Sequence, residues 1–266
     1  MKSTSLFARA WRRRDVFLEF TKREVSGRYS GSHLGLLWSF FNPLLMLGVY
    51  TLAFHEFLGM RWPHTDRRAE FSLMIFCGMI AHSLLAECLT RAPMCIVGNT
   101  NLVKKVVFPL AILPCVTVAS ALFHAVLSIL VLALFVLVSQ HALSATILYL
   151  PIVYVPYALL LCGISWFMAS LGVFMRDIAQ VSGVIAAVFM FLSPVFYPAT
   201  SLKESYRGWL AYNPLTLVIE QTRDLVMFGR APNWHALGVY TLAALVVMAF
   251  GYWWFQRTRD GFADVL

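Results

Sequence analysis

Residues 20–54 read FTKREVSGRYSGSHLGLLWSFFNPLLMLGVYTLAF, and the order of these letters decides the fold. The first part is basic and polar, with Lys22, Arg23, Glu24 and Arg28. From Leu34 to Phe54 no charged residue occurs. A helix over that apolar part, rising 1.5 Å per residue, is about 32 Å long, enough to cross the hydrocarbon core of a bilayer. The stretch therefore reads as a surface segment turning into a membrane.

The whole chain agrees. Of 266 residues, 60% are hydrophobic and 13% charged, and the mean hydropathy is +0.73. Soluble domains carry about 25% charged residues, so this chain reads as one all-α integral membrane unit. Its net charge of +8 has two readings: cytoplasmic flanks of membrane helices collect Lys and Arg, and the same flanks face anionic lipid. The five cysteines are odd in number, with no C-x-x-C spacing. Small apolar packing residues fit them better than a disulfide framework or zinc site. No short apolar core with a small-residue cleavage site follows Met1, so the N-terminus is expected to be retained.

Outward from the opening stretch, residues 5–28 place Leu6, Phe7, Ala10, Trp11, Phe17, Leu18 and Val25 on one arc of a helix, with Arg14, Glu24 and Arg28 intruding on it. An interfacial amphipathic helix fits, as does a soluble docking helix; the span that follows favours the first. Six spans are predicted, near 34–58, 71–90, 110–139, 146–175, 178–199 and 234–256. Pro43 is tolerable inside the first if neighbours satisfy the released carbonyl. Glu87 and Arg91 are spaced to pair near the end of the second. Between spans 2 and 3, Gly98, Asn99 and Asn101 break the helix, Lys104 and Lys105 follow, and Pro109 opens the next one. Leu202–Tyr212 and Leu215–Met227 have helical apolar patterning but are too short to span. Two short re-entrant helices separated by Asn213-Pro214 are expected, buried against protein. With both termini inside, 14 of the 21 Lys and Arg lie on the cytoplasmic side, as the positive-inside bias requires.

What is missing is equally informative. The chain has no G-x-x-x-x-G-K-[ST] loop, no H-E-x-x-H and no G-x-S-x-G. Its predicted cytoplasmic loops lack the paired carboxylates of a metal-dependent transferase. Intramembrane ionisable residues are few (His55, Glu56, His82, Glu87, His124), fewer than a proton-coupled transporter usually carries. A chain that moves cargo without its own engine needs a partner that supplies one. The basic segment 98–109 is a candidate contact for it, or an ordinary positive-inside loop. The aromatics of spans 1 and 5 are interface anchors and packing residues, or rings on which sugars slide.

The blocks KRE (22–24) with RYSGS (28–32), LG (34–35), LWS (37–39), NPL (42–44), NLVKK (101–105), FP (108–109), SPVFYP (193–198), NPL (213–215) and GFADVL (261–266) resemble the permease subunits of type 2 ABC exporters for cell-surface polysaccharides, most like O-antigen exporters. The resemblance implies a homodimer working with two copies of a separate cytoplasmic ABC ATPase. ATP and Mg would be held by that partner, with no cofactor on this chain and no nucleic acid among its partners. It also implies an interfacial N-terminal helix, a coupling helix around Asn99, Asn101, Lys104, Lys105 and Phe108, re-entrant helices within 201–230, and a lipid-linked polysaccharide as cargo in the bacterial inner membrane. On that basis Arg23 and Arg28, with Lys104 and Lys105, are candidates for the lipid-pyrophosphate entrance. Trp38, Tyr50, Phe54, Phe189, Phe196 and Tyr197 are candidates for the glycan path. Competing readings are an exporter of capsule or teichoic acid, a drug exporter, a membrane-embedded glycolipid transferase and a structural scaffold.

Overall fold

A computed structural model of the chain describes residues 14–57, 68–105, 108–140 and 143–266. The predicted positions Leu6, Phe7, Ala10 and Trp11, and the side chains of Phe54, Lys104 and Lys105, lie outside the described residues. Among those described, all regular structure is helical. In chain order the helices are α1 (Arg14–Gly27), α2 (Trp38–Tyr50), α3 (Arg68–Arg91), α4 (Met94–Val97), α5 (Thr100–Lys105), α6 (Ile112–Gln140), α7 (Leu150–Phe174), α8 (Ile178–Leu192), α9 (Glu204–Ala211), α10 (Pro214–Val226), α11 (Trp234–Thr258) and α12 (Phe262–Val265).

Among the described residues, four helical runs are long and apolar enough to cross a membrane: Glu70–Arg91, Ile112–Ser139, Ala145–Phe174 and Trp234–Val265. The first and fifth predicted spans are shorter apolar helices, Trp38–Ala53 and Ile178–Leu192. Each shortening has a local reason. The backbone at Gly35 is left-handed (φ 50°), so α2 starts only after a single 3-10 turn, and its end passes into π-helical turns over Thr51–Phe57. Helix α8 stops at Leu192 because Pro194 pushes Ser193 out of the helical region; its φ and ψ are −100° and 154°. Asn101 does not break a helix as predicted: the break falls at Gly98 and Asn99, and Asn101 lies within α5.

Burial does not follow apolarity: the run Trp234–Val265, at hydropathy 1.7, has 17% of its window buried. Helix α3, at hydropathy 1.7, has 72% of its apolar window buried, whereas α6, at 2.8, has 28%. Lipid tails are as apolar as leucine, so apolar residues gain nothing from helix–helix contact and can face outward; a helix with polar groups needs protein around it. Helix α3 is thus the centre of the bundle. Its His82 Nε2 donates to Ala186 O on α8 (2.9 Å), and Tyr157 of α7 donates its hydroxyl to Ala81 O (2.7 Å). Helices α7 and α11 form the tightest pair. Gly163 and Gly251 face one another there, Trp166 meets Tyr252 edge-on at 5.0 Å, and Ser170 and Thr258 share a 2.6 Å hydrogen bond.

The Asn213-Pro214 break appears as predicted. Pro214 opens α10. Asn213 Oδ1 accepts from Leu215 N (2.9 Å), and its Nδ2 donates to Ser193 Oγ (2.9 Å) and Leu192 O (3.1 Å). The two helices differ in burial. Val218, Gln221, Arg223 and Leu225 of α10 are buried, but α9 exposes Tyr206 and Trp209, with Tyr212 exposed just beyond its end. The expectation that both pack against protein therefore holds for α10 alone.

Candidate functional site

The site forms where α1 meets α3 and α6. The chain leaves α1 through RYSGSHLG, whose turns include Gly31 at φ 85°. Only glycine takes that conformation without strain. The reversal places Arg28 and Tyr29 over the last turn of α3. Two i,i+4 pairs of the same type meet there in crossed order, Glu24 on α1 and Arg28 just past its end against Glu87 and Arg91 on α3. Arg28 Nη1 donates to Glu87 Oε1 at 2.7 Å, Arg91 Nη1 donates to the same oxygen at 2.8 Å, and Arg91 Nη2 pairs with Glu24. His124 of α6 completes the group. Its Nδ1 lies 3.0 Å from Arg28 Nη1 and 3.6 Å from Glu87 Oε2, and its ring meets Tyr29 edge-on at 5.9 Å. Glu24 and Arg28, intruders on the sequence-derived apolar arc, turn out to face the bundle. The helix docks through Phe20 and Glu24, with Arg28 just past its end; of the predicted apolar face Val25 is buried while Leu18 is exposed.

Two cavities adjoin this cluster, and Arg28 lines both. One, of about 270 Å³, lies between α2, α3 and α6 and includes Asn42, Tyr50, Glu87 and His124. The other, of about 550 Å³, includes Arg23, Glu24, Arg91 and Asn99. The structure thus gathers three of the predicted residues, Arg23, Arg28 and Asn99, around one space. Asn99 is held by its own Nδ2 donating to Cys95 O (2.9 Å). Asn101 is exposed on α5.

Phe108, a predicted coupling residue, packs on Phe20 of α1 with ring centroids 5.2 Å apart. Both rings belong to a small apolar cluster with Ile96, Leu102, Phe255, Phe262 and Leu266. Helix α1, residues 94–105 with Phe108, and the GFADVL tail therefore share one core, separate from the main core of the bundle.

The predicted aromatic residues do not form one group within the described chain. Tyr50 and Phe196 pack on the same cluster of Phe71, Met74 and Ile75. Phe189 packs on the main core, Tyr197 donates its hydroxyl to Phe191 O (3.3 Å), and Trp38 is exposed at the start of α2. Sequence reasoning missed Glu24, Arg91 and His124 as members of the site. The repeated E-x-x-x-R spacing at 24–28 and 87–91 was the available signal. It also missed Arg223, which is 2% exposed. Its Nε donates to Met74 O (3.1 Å) and its Nη2 to Val195 O (2.8 Å), with Glu220 at 3.2 Å. No trio of His, Cys, Asp or Glu among the described residues is placed to hold a metal.

The family described as ABC-2 type transporter matches residues 16–227, and the chain belongs to this family. Its relatives include the O-antigen export system permease protein RfbA of Klebsiella pneumoniae, 24% identical over 253 residues and covering 95% of each chain. The protein of the same name from Myxococcus xanthus is 26% identical over 254 residues, 94% of this chain and 95% of that one. The polysialic acid transport protein KpsM of Escherichia coli is 23% identical over 243 residues, 90% and 91% of the two chains.

Proposed function

We propose that the chain is the membrane permease of an ATP-driven exporter that moves an O-antigen-type polysaccharide, carried on a lipid diphosphate, across the bacterial inner membrane. The observation that carries this reading is the likeness to O-antigen export permeases over 95% of both chains. The likeness to a polysialic acid transport protein over 90% of the chain keeps a capsular glycan as the second cargo.

In this reading α2, α3, α6, α7, α8 and α11 make six crossings, with both termini in the cytoplasm and α9–α10 re-entrant on the far side. The chain acts as a homodimer with two copies of an ABC ATPase, which holds ATP and Mg. The chemistry left to this chain is recognition and transmission. Arg23, Arg28 and Arg91 line a space wide enough for a diphosphate, a dense anion that suits charge-assisted bonds to guanidinium groups. A shift of α1 on binding passes through the Phe20–Phe108 contact to the segment that would meet the ATPase. Lys104 and Lys105 add positive charge to that segment. Trp38, Tyr50, Phe54, Phe189, Phe196 and Tyr197 are assigned to the glycan path, whose wall would be completed by the second protomer.

The reading is checked on the permease–ATPase complex in lipid nanodiscs, by following ATP hydrolysis as lipid-linked glycan is added. Arg28→Ala is expected to raise the half-stimulating concentration about tenfold, the equivalent of one charge-assisted hydrogen bond. An unchanged response would remove Arg28 from the entrance.

A further inference from the structure

Two of the entrance arginines, Arg28 and Arg91, are already paired with carboxylates, and the pairing is lopsided. Glu87 is only 13% exposed, while Arg28 is 41% and Arg91 32% exposed. Glu87 and Arg91 both belong to the central helix; Arg28 reaches the carboxylate on a long side chain from outside it. Arg28 stands in the wall between the two cavities, bonded towards the smaller one through Glu87 and His124 while bordering the larger one with Arg23 and Arg91.

We infer that Glu87 is an internal counter-ion that parks Arg28, setting a threshold that an incoming anion must exceed before the site fills. This rests on the entrance reading above and adds its regulation. Three features support it. Glu87 Oε1 accepts from both arginines, so when Arg28 turns to a ligand the carboxylate keeps Arg91 at 2.8 Å and is never left as a lone buried charge. Glu24 and Glu87 balance Arg28 and Arg91, so the empty cluster carries no net charge of its own apart from His124. Arg28 is also the one residue of the cluster that lines both cavities, and it needs only rotate about its own side chain to change partner.

Parking lowers the affinity for every anion by the same factor. Its effect is on occupancy. A phosphodiester headgroup of the surrounding bilayer, with one negative charge, falls below the level at which it fills the site. A diphosphate, with more charge and more acceptor oxygens, stays above it. Glu87 therefore keeps abundant phospholipid from triggering the transporter in place of cargo.

The test uses the permease in nanodiscs, with geranylgeranyl pyrophosphate as the diphosphate probe and phosphatidylglycerol as the phosphodiester. In phosphatidylcholine nanodiscs, Glu87→Gln keeps acceptor and shape but removes the charge. It is expected to bind the diphosphate about tenfold more tightly than wild type and to retain phosphatidylglycerol through delipidation, seen by native mass spectrometry, where wild type does not. Arg28→Ala is expected to weaken the diphosphate in the same assay. Should Glu87→Gln not fold, Glu87→Asp, whose shorter reach loosens the pairing, must shift binding in the same direction by a smaller factor. Unchanged or weaker binding by the Glu87 variant, with Arg28→Ala still weakened, overturns the counter-ion and leaves the entrance standing. No effect of either substitution overturns the entrance itself, and the counter-ion with it.

Discussion

Arg223→Met is expected to lower the stability of the reconstituted protein by about 3 kcal/mol or more and to detach α10 from the bundle. The argument starts from burial. Arg223 is 2% exposed, and a guanidinium in that position persists only because its N–H groups are used. Two go to main-chain carbonyls on different elements, Met74 at the outer part of α3 and Val195 in the turn after α8, and a third goes to Glu220. Methionine fills much of the volume but donates nothing. Hydrogen bonds to a charged group contribute about 1.5–3 kcal/mol each; Glu220, 38% exposed, keeps solvent when its partner is removed. The Met74 carbonyl retains its helical partner, so the Val195 carbonyl bears most of the loss. Thermal unfolding in nanodiscs, with protease access to residues 200–214, measures both effects. Arg223→Lys, which can reach one carbonyl but not fork to two, is expected to fall between wild type and Arg223→Met.

Gly251→Leu is expected to cost at least about 3 kcal/mol and to separate α11 from α7. A Cβ at Gly251 would overlap the backbone of Gly163, with the carbonyl carbon at 2.7 Å and the Cα at 2.9 Å; a Cβ at Gly163 would lie 2.5 Å from Val247 O. Backbone cannot turn aside as a side chain can, so the helices must move apart, beyond the usual 1–3 kcal/mol of overpacking. Close approach through small residues holds membrane helices together where no hydrophobic force does. The Ser170–Thr258 hydrogen bond and the Trp166–Tyr252 contact would be lost with it. A cysteine cross-link between the Ser170 and Thr258 positions, formed efficiently in the parent and poorly in Gly251→Leu, reads the separation. At Gly238 nothing lies within 4 Å of the place a Cβ would take, so leucine there is expected to be accepted without loss.

These contacts mark the boundary of what the sequence makes legible. The long helices and the Asn213-Pro214 break follow from local chemistry: apolar runs, and an Asn-Pro pair that suits a helix start. The lengths of α2 and α8 do not follow from apolarity, because Gly35 and Ser193-Pro194 end helices inside apolar sequence. The entrance cluster is half legible. Arg28 stands out beside a membrane span, and Glu87 with Arg91 is a visible helical pair. Their meeting with Glu24 and His124 depends on α1 folding back over α3 and α6, a contact between residues 59 to 96 positions apart. Arg223 reads from sequence as one more charge in a polar connection; only the packing of α10 between α3 and the turn after α8 reveals it as a buried staple. The aromatic residues show the reverse limit. Trp38, Tyr50, Phe189 and Phe196 are conspicuous in the sequence, but the chain gathers only Tyr50 and Phe196 on the cluster of Phe71, Met74 and Ile75.

The central claim is that this chain carries a lipid-linked polysaccharide out of the cell. It is met most directly by deleting the gene in its native host, restoring it on a plasmid, and measuring surface glycan alongside lipid-linked glycan in spheroplasts. The account predicts that deletion removes the glycan from the surface while full-length lipid-linked glycan accumulates on the cytoplasmic side, with the plasmid reversing both. Surface glycan unchanged in amount and length after deletion would contradict it.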